Sequence, residues 1–179
     1  MQTLLDYGWN QSFQDSYTYF NHPGFEPGRV ISVRGHQYKL MSEAGEISAE
    51  LSGKLMYGRE NADLPKVGDW VLFLRYDTLG YLMEILPRQN ELSRKMPGRQ
   101  SERQVLVANV DFALLVQGLD RDFNLMRLER YLFQVQQSDI KPVIILNKAD
   151  LVLAPRRVPG AGAKAGLPLP GYSVQRGYR

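Results

Sequence analysis

The sequence contains no cysteine and only two histidines, His22 and His36. The first absence excludes disulfides and any thiolate-built zinc or redox centre within these residues. The second leaves too few imidazoles for a histidine-built metal site. No apolar run approaches the roughly 20 residues that a membrane-spanning helix needs, which excludes a helical membrane protein. Residues 1–6 hold no basic stretch followed by an apolar core, so no secretory leader is expected. What is present is ordinary: 44% hydrophobic and 23% charged residues in a chain of 179, enough for one domain and part of a second. A cytoplasmic protein that folds by its core, with no membrane partner, is expected.

The formal charge of +3 suggests a mild affinity for polyanions, but its distribution argues otherwise. Residues 151–179 carry Arg156, Arg157, Lys164, Arg176 and Arg179 and no acid, which leaves residues 1–150 with a net charge of −2. Bulk charge therefore gives the folded part no pull on nucleic acid, and local clusters have to supply it.

Residues 1–27 are polar and aromatic and close on Pro27-Gly28. They read as an N-terminal extension with a short helix, its Tyr7, Trp9, Phe13, Tyr17, Tyr19 and Phe20 available to pack on a neighbour. The period then changes. Strands are expected at 29–34, 36–41, 46–51, 70–76 and 80–86, separated by glycine turns, which predicts a small antiparallel barrel over 28–87. Residues 88–103, rich in Arg, Ser, Gln and Gly, read as a linker. Beyond it, 110–116 is a near-continuous apolar run, as expected for a strand covered on both faces. Asn124 fits an N-cap for a helix with apolar positions Leu125, Leu128, Leu132 and Val135, and 142–146 is a second buried strand. Strand, helix and strand at this spacing make one βαβ unit of a parallel sheet, too little to cover both of its own faces.

Asn147-Lys148-Ala149-Asp150 follows that second strand directly. The carboxyl end of a parallel strand is the usual ligand position in open α/β sheets. There, Asp150 can accept hydrogen bonds from the ring N–H and exocyclic amine of guanine, a donor pair that adenine lacks. Lys148 can lay its aliphatic stem over the purine, and Asn147 can brace the neighbouring loops. A polar loop of this composition also arises by chance, but the strand-end context favours the chemical reading.

Several runs carry a resemblance: Gly28-Arg29-Val30-Ile31, Leu51-Ser52-Gly53-Lys54, Val67-Gly68-Asp69-Trp70-Val71, Leu86-Pro87-Arg88 and Leu92-Ser93-Arg94-Lys95. Glu102-Arg103-Gln104-Val105-Leu106-Val107-Ala108-Asn109, Phe123-Asn124-Leu125, Leu128-Glu129-Arg130-Tyr131-Leu132 and Asn147-Lys148-Ala149-Asp150-Leu151 belong with them. Over about residues 7–152 the chain resembles the ribosome small-subunit-dependent GTPase A family. The resemblance implies an all-β OB-fold barrel followed by an incomplete α/β domain of the P-loop GTPase type, circularly permuted so that the guanine motif precedes the phosphate loop. It implies GTP or GDP with Mg²⁺ as ligand, and late maturation of the small ribosomal subunit as the role, with that subunit's rRNA as partner. Asn147, Lys148 and Asp150 would be the base-binding residues, and 104–152 the partial GTPase domain.

The sequence also departs from that family. No G-x-x-x-x-G-K-[ST] loop occurs, since Gly160-Ala161-Gly162-Ala163-Lys164 has the wrong spacing. The family's zinc element is impossible without cysteine. No catalytic residue is assigned, and no GTP hydrolysis is expected from this polypeptide alone. Residues 153–179, crowded with Pro, Gly, Ala and Arg, read as a shifted reading frame in preference to a natural disordered tail. The alternative to a GTPase role is an RNA-binding OB module, or a truncation product without function. For RNA the candidates are Arg29, Arg34, Lys39, Arg88, Arg94, Lys95 and Arg99, with Tyr38, Lys54, Arg59, Arg75 and Arg103 beside them. Tyr38, Trp70, Phe73 and Tyr81 are expected more readily in a barrel core than on an RNA face.

Overall fold

The computed structural model describes residues 3–20, 22–57, 63–96 and 99–148, with the side chains of 95, 96 and 99–102 outside that description. The chain forms two compact units, Met1–Val110 and Asp111–Arg179.

In the first unit, β1 (Phe25–Arg34), β2 (Gln37–Ser42), β3 (Gly45–Leu51), β4 (Trp70–Tyr76) and β5 (Leu79–Ile85) close a barrel in the order β1-β2-β3-β5-β4. Neighbours are antiparallel except β3 and β5, which run parallel. This is the Greek-key closure of an OB fold, which leaves no strand edge in the barrel. Period-2 alternation builds it: in β3 the side chains of Ile47, Ala49 and Leu51 point inward and are buried, while those between them are exposed. They meet Val30, Tyr38, Leu40, Val71, Phe73 and Leu82 in the barrel interior. Between β3 and β4 a single helical turn, α2 (Gly53–Met56), is capped by Ser52, whose side chain accepts from the Leu55 N–H, and Leu55 closes the core.

β4 breaks the alternation. Trp70, Val71, Leu72 and Phe73 are all fully buried because this strand is covered on both faces. Val71 and Phe73 face the barrel, whereas Trp70 and Leu72 join Leu4, Trp9, Phe13 and Leu86 in a second core. The N-terminal segment makes that second core. Its helix α1 (Gln11–Phe20) presents Phe13 and Tyr17, and the rings of Trp9 and Trp70 meet edge to face at 4.7 Å. Of the six aromatics expected to pack, Tyr19 alone points away, at 85% exposed.

The expected linker is a hairpin. β6 (Glu91–Met96) and β7 (Arg99–Ala108) pair antiparallel through two register shifts. The reason that it reads as a linker is chemical: polar side chains interrupt its apolar positions, and Leu92 opposite Val107 is the one wholly apolar pair among the described residues. Arg94 Nε donates to Gln104 Oε1 at 3.0 Å and Arg103 reaches Glu91 at 2.8 Å, so no apolar alternation marks the strands. Its end is tied to the barrel. The Ala108 N–H donates to Val67 O at 3.0 Å, and the buried Asn109 donates from Nδ2 to Gly68 O at 3.1 Å. Gly68 is in the left-handed region (φ +91°), and a β-carbon there would stand 1.9 Å from the Ala108 carbonyl oxygen.

In the second unit, β8 (Phe112–Gly118) and β9 (Lys141–Asn147) run parallel, joined by α3 (Leu125–Gln136). Asn124 caps α3, its side-chain oxygen accepting from Arg127 N at 2.9 Å. Leu128, Leu132 and Val135 are the buried face of the helix, while Leu125, expected among them, is half exposed in the first turn. The expectation of a strand covered on both faces is corrected as well. Among the described residues α3 covers one face, and Phe112, Leu114 and Val116 on the other remain about 60% exposed.

Gly68→Ala combines left-handed strain with overlap on a backbone oxygen, and it should destabilise the first unit by about 3 kcal/mol. Thermal unfolding followed by tryptophan fluorescence checks this, since Trp9 and Trp70 sit in the core that the crossing supports.

Candidate functional site

The ends of β8 and β9 meet in register, Gly118 beside Asn147. Past this point the two exit loops are sewn together. Leu119 N donates to Asn147 O at 2.9 Å, and Asn147 Oδ1 accepts from Lys148 N at 2.9 Å. Lys148 holds a left-handed backbone (φ +59°). The other described non-glycine residues with positive φ are Asp77, Asn109 and Asp139, types that adopt this region readily. A lysine does so only where its surroundings impose it, and such strain concentrates at functional positions.

The Lys148 ammonium reaches across to Asp120 Oδ2 at 2.5 Å. The other Asp120 oxygen accepts from Asp122 N at 3.1 Å, and Arg127 donates from Nη2 to Asp122 O at 2.6 Å. A cleft of about 530 Å³ opens here, lined by residues 114–118 with Asp120, Arg127, Tyr131 and Lys148. That volume lies in the range of small-ligand sites. The hydrogen bond from Lys148, then that from the Asp122 N–H, holds the Asp120 carboxyl below its ordinary 3.8. The same bond to Asp120 raises Lys148 above its ordinary 10.5. Asn147 and Lys148 thus stand together at the strand end. Asp150 lies outside the described residues. Asp120 was not legible as a site residue, its one signal being an acid pair, Asp120 and Asp122, between a strand end and the Asn124 cap.

The basic candidates divide by direction. The Arg29 guanidinium turns inward, donating to Tyr7 O and, at 2.6 Å, to Asn109 O, with the Trp70 ring 5.9 Å away. Arg88 forks onto Asp69 with two 2.8 Å bonds and reaches Glu91 at 2.9 Å. Burial works against the Arg88 charge, but bonding to Asp69 and Glu91 outweighs it and leaves the guanidinium above its ordinary value. Asp69 is fully buried and also accepts from Lys66 N at 2.7 Å. These two arginines tie the barrel to the segments around it. Arg34 and Lys39 stay on the surface and line a cleft of about 400 Å³ with Ser32, Gln37 and Glu50, Lys39 pairing with Glu46. Arg94 is exposed on the hairpin. Lys54 pairs with Glu84 and Arg75 with Glu26. The Lys95 and Arg99 side chains, and Arg59 entirely, lie outside the described residues. Tyr38 and Phe73 are buried in the barrel core, whereas Trp70, expected there, is buried in the second core on the outer face of β4, and Tyr81 is partly exposed.

Residues 85–166 match the family model described as RsgA GTPase. The small ribosomal subunit biogenesis GTPase RsgA 1 of Bacteroides thetaiotaomicron is 40% identical over 146 residues, 81% of this chain and 41% of that protein. The corresponding RsgA 2 of Lactiplantibacillus plantarum is 37% identical over 178 residues, 97% of this chain and 50% of that protein. Among solved structures, YloQ, titled a circularly permuted GTPase, superposes with a TM-score of 0.53 at 31% identity, over 75% of this chain and 44% of that one. YjeQ from Thermotoga maritima agrees in fold, with a TM-score of 0.54 at 24% identity, over 71% of this chain and 42% of that one. Over most of its length this chain is similar to the RsgA GTPases.

The chain spans between two fifths and half the length of these RsgA relatives. Similarity to the RsgA model continues to residue 166, past Val152, where the resemblance was expected to end. The barrel and the βαβ unit both lie in the part that RsgA proteins share with it.

Two outcomes follow for the site and its surroundings. Arg88→Ala strands the buried Asp69 and should cost about 3 kcal/mol of stability, whereas Arg34→Ala should stay within about 0.5 kcal/mol; urea unfolding compares them. A carboxyl-carbon NMR titration should place Asp120 below 3.8, and Lys148→Met should return it toward that value. Because the folded value is depressed, the contribution of the pair is complete above 3.8 and is lost only as pH falls through the lower, folded value.

Proposed function

We propose that this chain serves small ribosomal subunit maturation, the role for which its RsgA relatives are named, through an RNA-binding barrel unit and a guanine-binding strand end. The observation that carries the guanine element is Asn147-Lys148 at the carboxyl end of β9, with a lysine held left-handed beside a ligand-sized cleft. Asn147 would brace the exit loops, Lys148 would lay its stem against the purine, and Asp150 would accept from the guanine ring N–H and amine. Bound GTP with its Mg²⁺ would supply the phosphoanhydride chemistry. These three residues hold only the base. On the barrel unit, Arg34, Lys39 and Arg94 present their charge to solvent and suit the phosphates of rRNA. Work on that particle would place the chain in the cytoplasm.

Calorimetric titration of the full 179-residue chain tests the guanine element. GDP should bind at least tenfold more tightly than ADP, and Asp150→Asn should erase the difference, because discrimination rests on the paired donors of guanine. Equal affinity for GDP and ADP, or binding of neither, would contradict it. The RNA element predicts retention on small subunits without nucleotide, weakening as salt rises. The triple variant R34A/K39A/R94A should lower both that retention and its salt slope, and unchanged retention would remove those residues from the interface.

A further inference from the structure

We propose that Asp120 is a positioning residue for guanine recognition, fixing the Lys148 side chain across the two strand ends so that its stem borders the cleft before nucleotide arrives. The inference rests on the guanine reading of Asn147-Lys148-Ala149-Asp150 and adds to it a residue from a different loop.

Three observations place Asp120 in this role. Its two carboxylate oxygens do separate work: Oδ1 accepts from Asp122 N and shapes its own loop, while Oδ2 takes the Lys148 ammonium. The loops that carry the two residues are joined independently by the Leu119 N to Asn147 O bond, so their separation is set by backbone. Both side chains line the same cleft. A free lysine on a strand-end turn samples many rotamers, and ordering it on binding weakens affinity. An ammonium anchored at its far end has already lost that freedom, with the four methylenes held between a left-handed backbone and Asp120. Asp120 need not touch the ligand to raise its affinity.

The division of labour within the carboxylate gives a clean experiment. Asp120→Asn keeps an oxygen for the Asp122 N–H and removes the charge that holds Lys148. In the full chain it should weaken GDP binding about three- to tenfold. Asp120→Glu should restore affinity to within about twofold of the parent, since the charge returns. Lys148→Met keeps an apolar stem without the ammonium, and in that background Asp120→Asn should change affinity by less than about 1.5-fold. A loss of equal size in the Lys148→Met background would assign Asp120 to loop support alone and overturn the proposal. So would a D120N variant that binds GDP as well as, or better than, the parent. If the parent chain shows no preference for GDP over ADP, the guanine reading itself falls, and this inference falls with it. A parent that discriminates while D120N is indifferent overturns the positioning role only.

Discussion

The carbonyl oxygen of Ala108 occupies the space where a β-carbon on residue 68 would stand. Much of the first unit depends on that approach. Because Gly68 admits it, the end of β7 lies against the turn that feeds β4, and Asn109 can satisfy Gly68 O while its own backbone carbonyl receives Arg29. Asp69, next in line, then lies buried where Arg88 can fork onto it. A buried carboxylate without its partner would be strongly unfavourable, so the barrel, the hairpin and the Arg88 segment are fixed as one unit. The N-terminal aromatics add a second core on the outer face of β4, which explains four consecutive buried residues in a strand that would otherwise alternate.

In the second unit the governing constraint is register. Parallel pairing sets Gly118 beside Asn147, and from there two exit loops leave the same end of the sheet. The crossover through α3 covers one face, and the two strand ends lie at the position where α/β sheets bind ligands. The polar groups gathered there come from both loops, which is why a motif in one of them is an incomplete description of the site.

Strands with strong alternation and a buried face were legible in the sequence: all five barrel strands, the parallel pair and the Asn124 cap follow from period and capping chemistry alone. The hairpin of β6 and β7 was not, because Arg94, Gln104, Arg103 and Glu91 stabilise it through polar pairs that carry no apolar period. Composition shows that Arg29 and Arg88 are cationic and says nothing of where they point. Their acceptors, Asn109 O and Asp69, are set by a long-range crossing. The Asn147-Lys148 turn was legible because its chemistry is contiguous. Asp120 was not, since its meaning lies in a partner 28 residues away.

Guanine recognition is proposed at the strand ends of the second unit and not at the barrel. Amide chemical-shift mapping of the full chain during a guanosine titration tests it most directly. Shifts should concentrate at residues 118–124 and 147–150, with the barrel cleft around Arg34 and Lys39 unchanged. Shifts centred on that barrel cleft, with the strand ends silent, would contradict it.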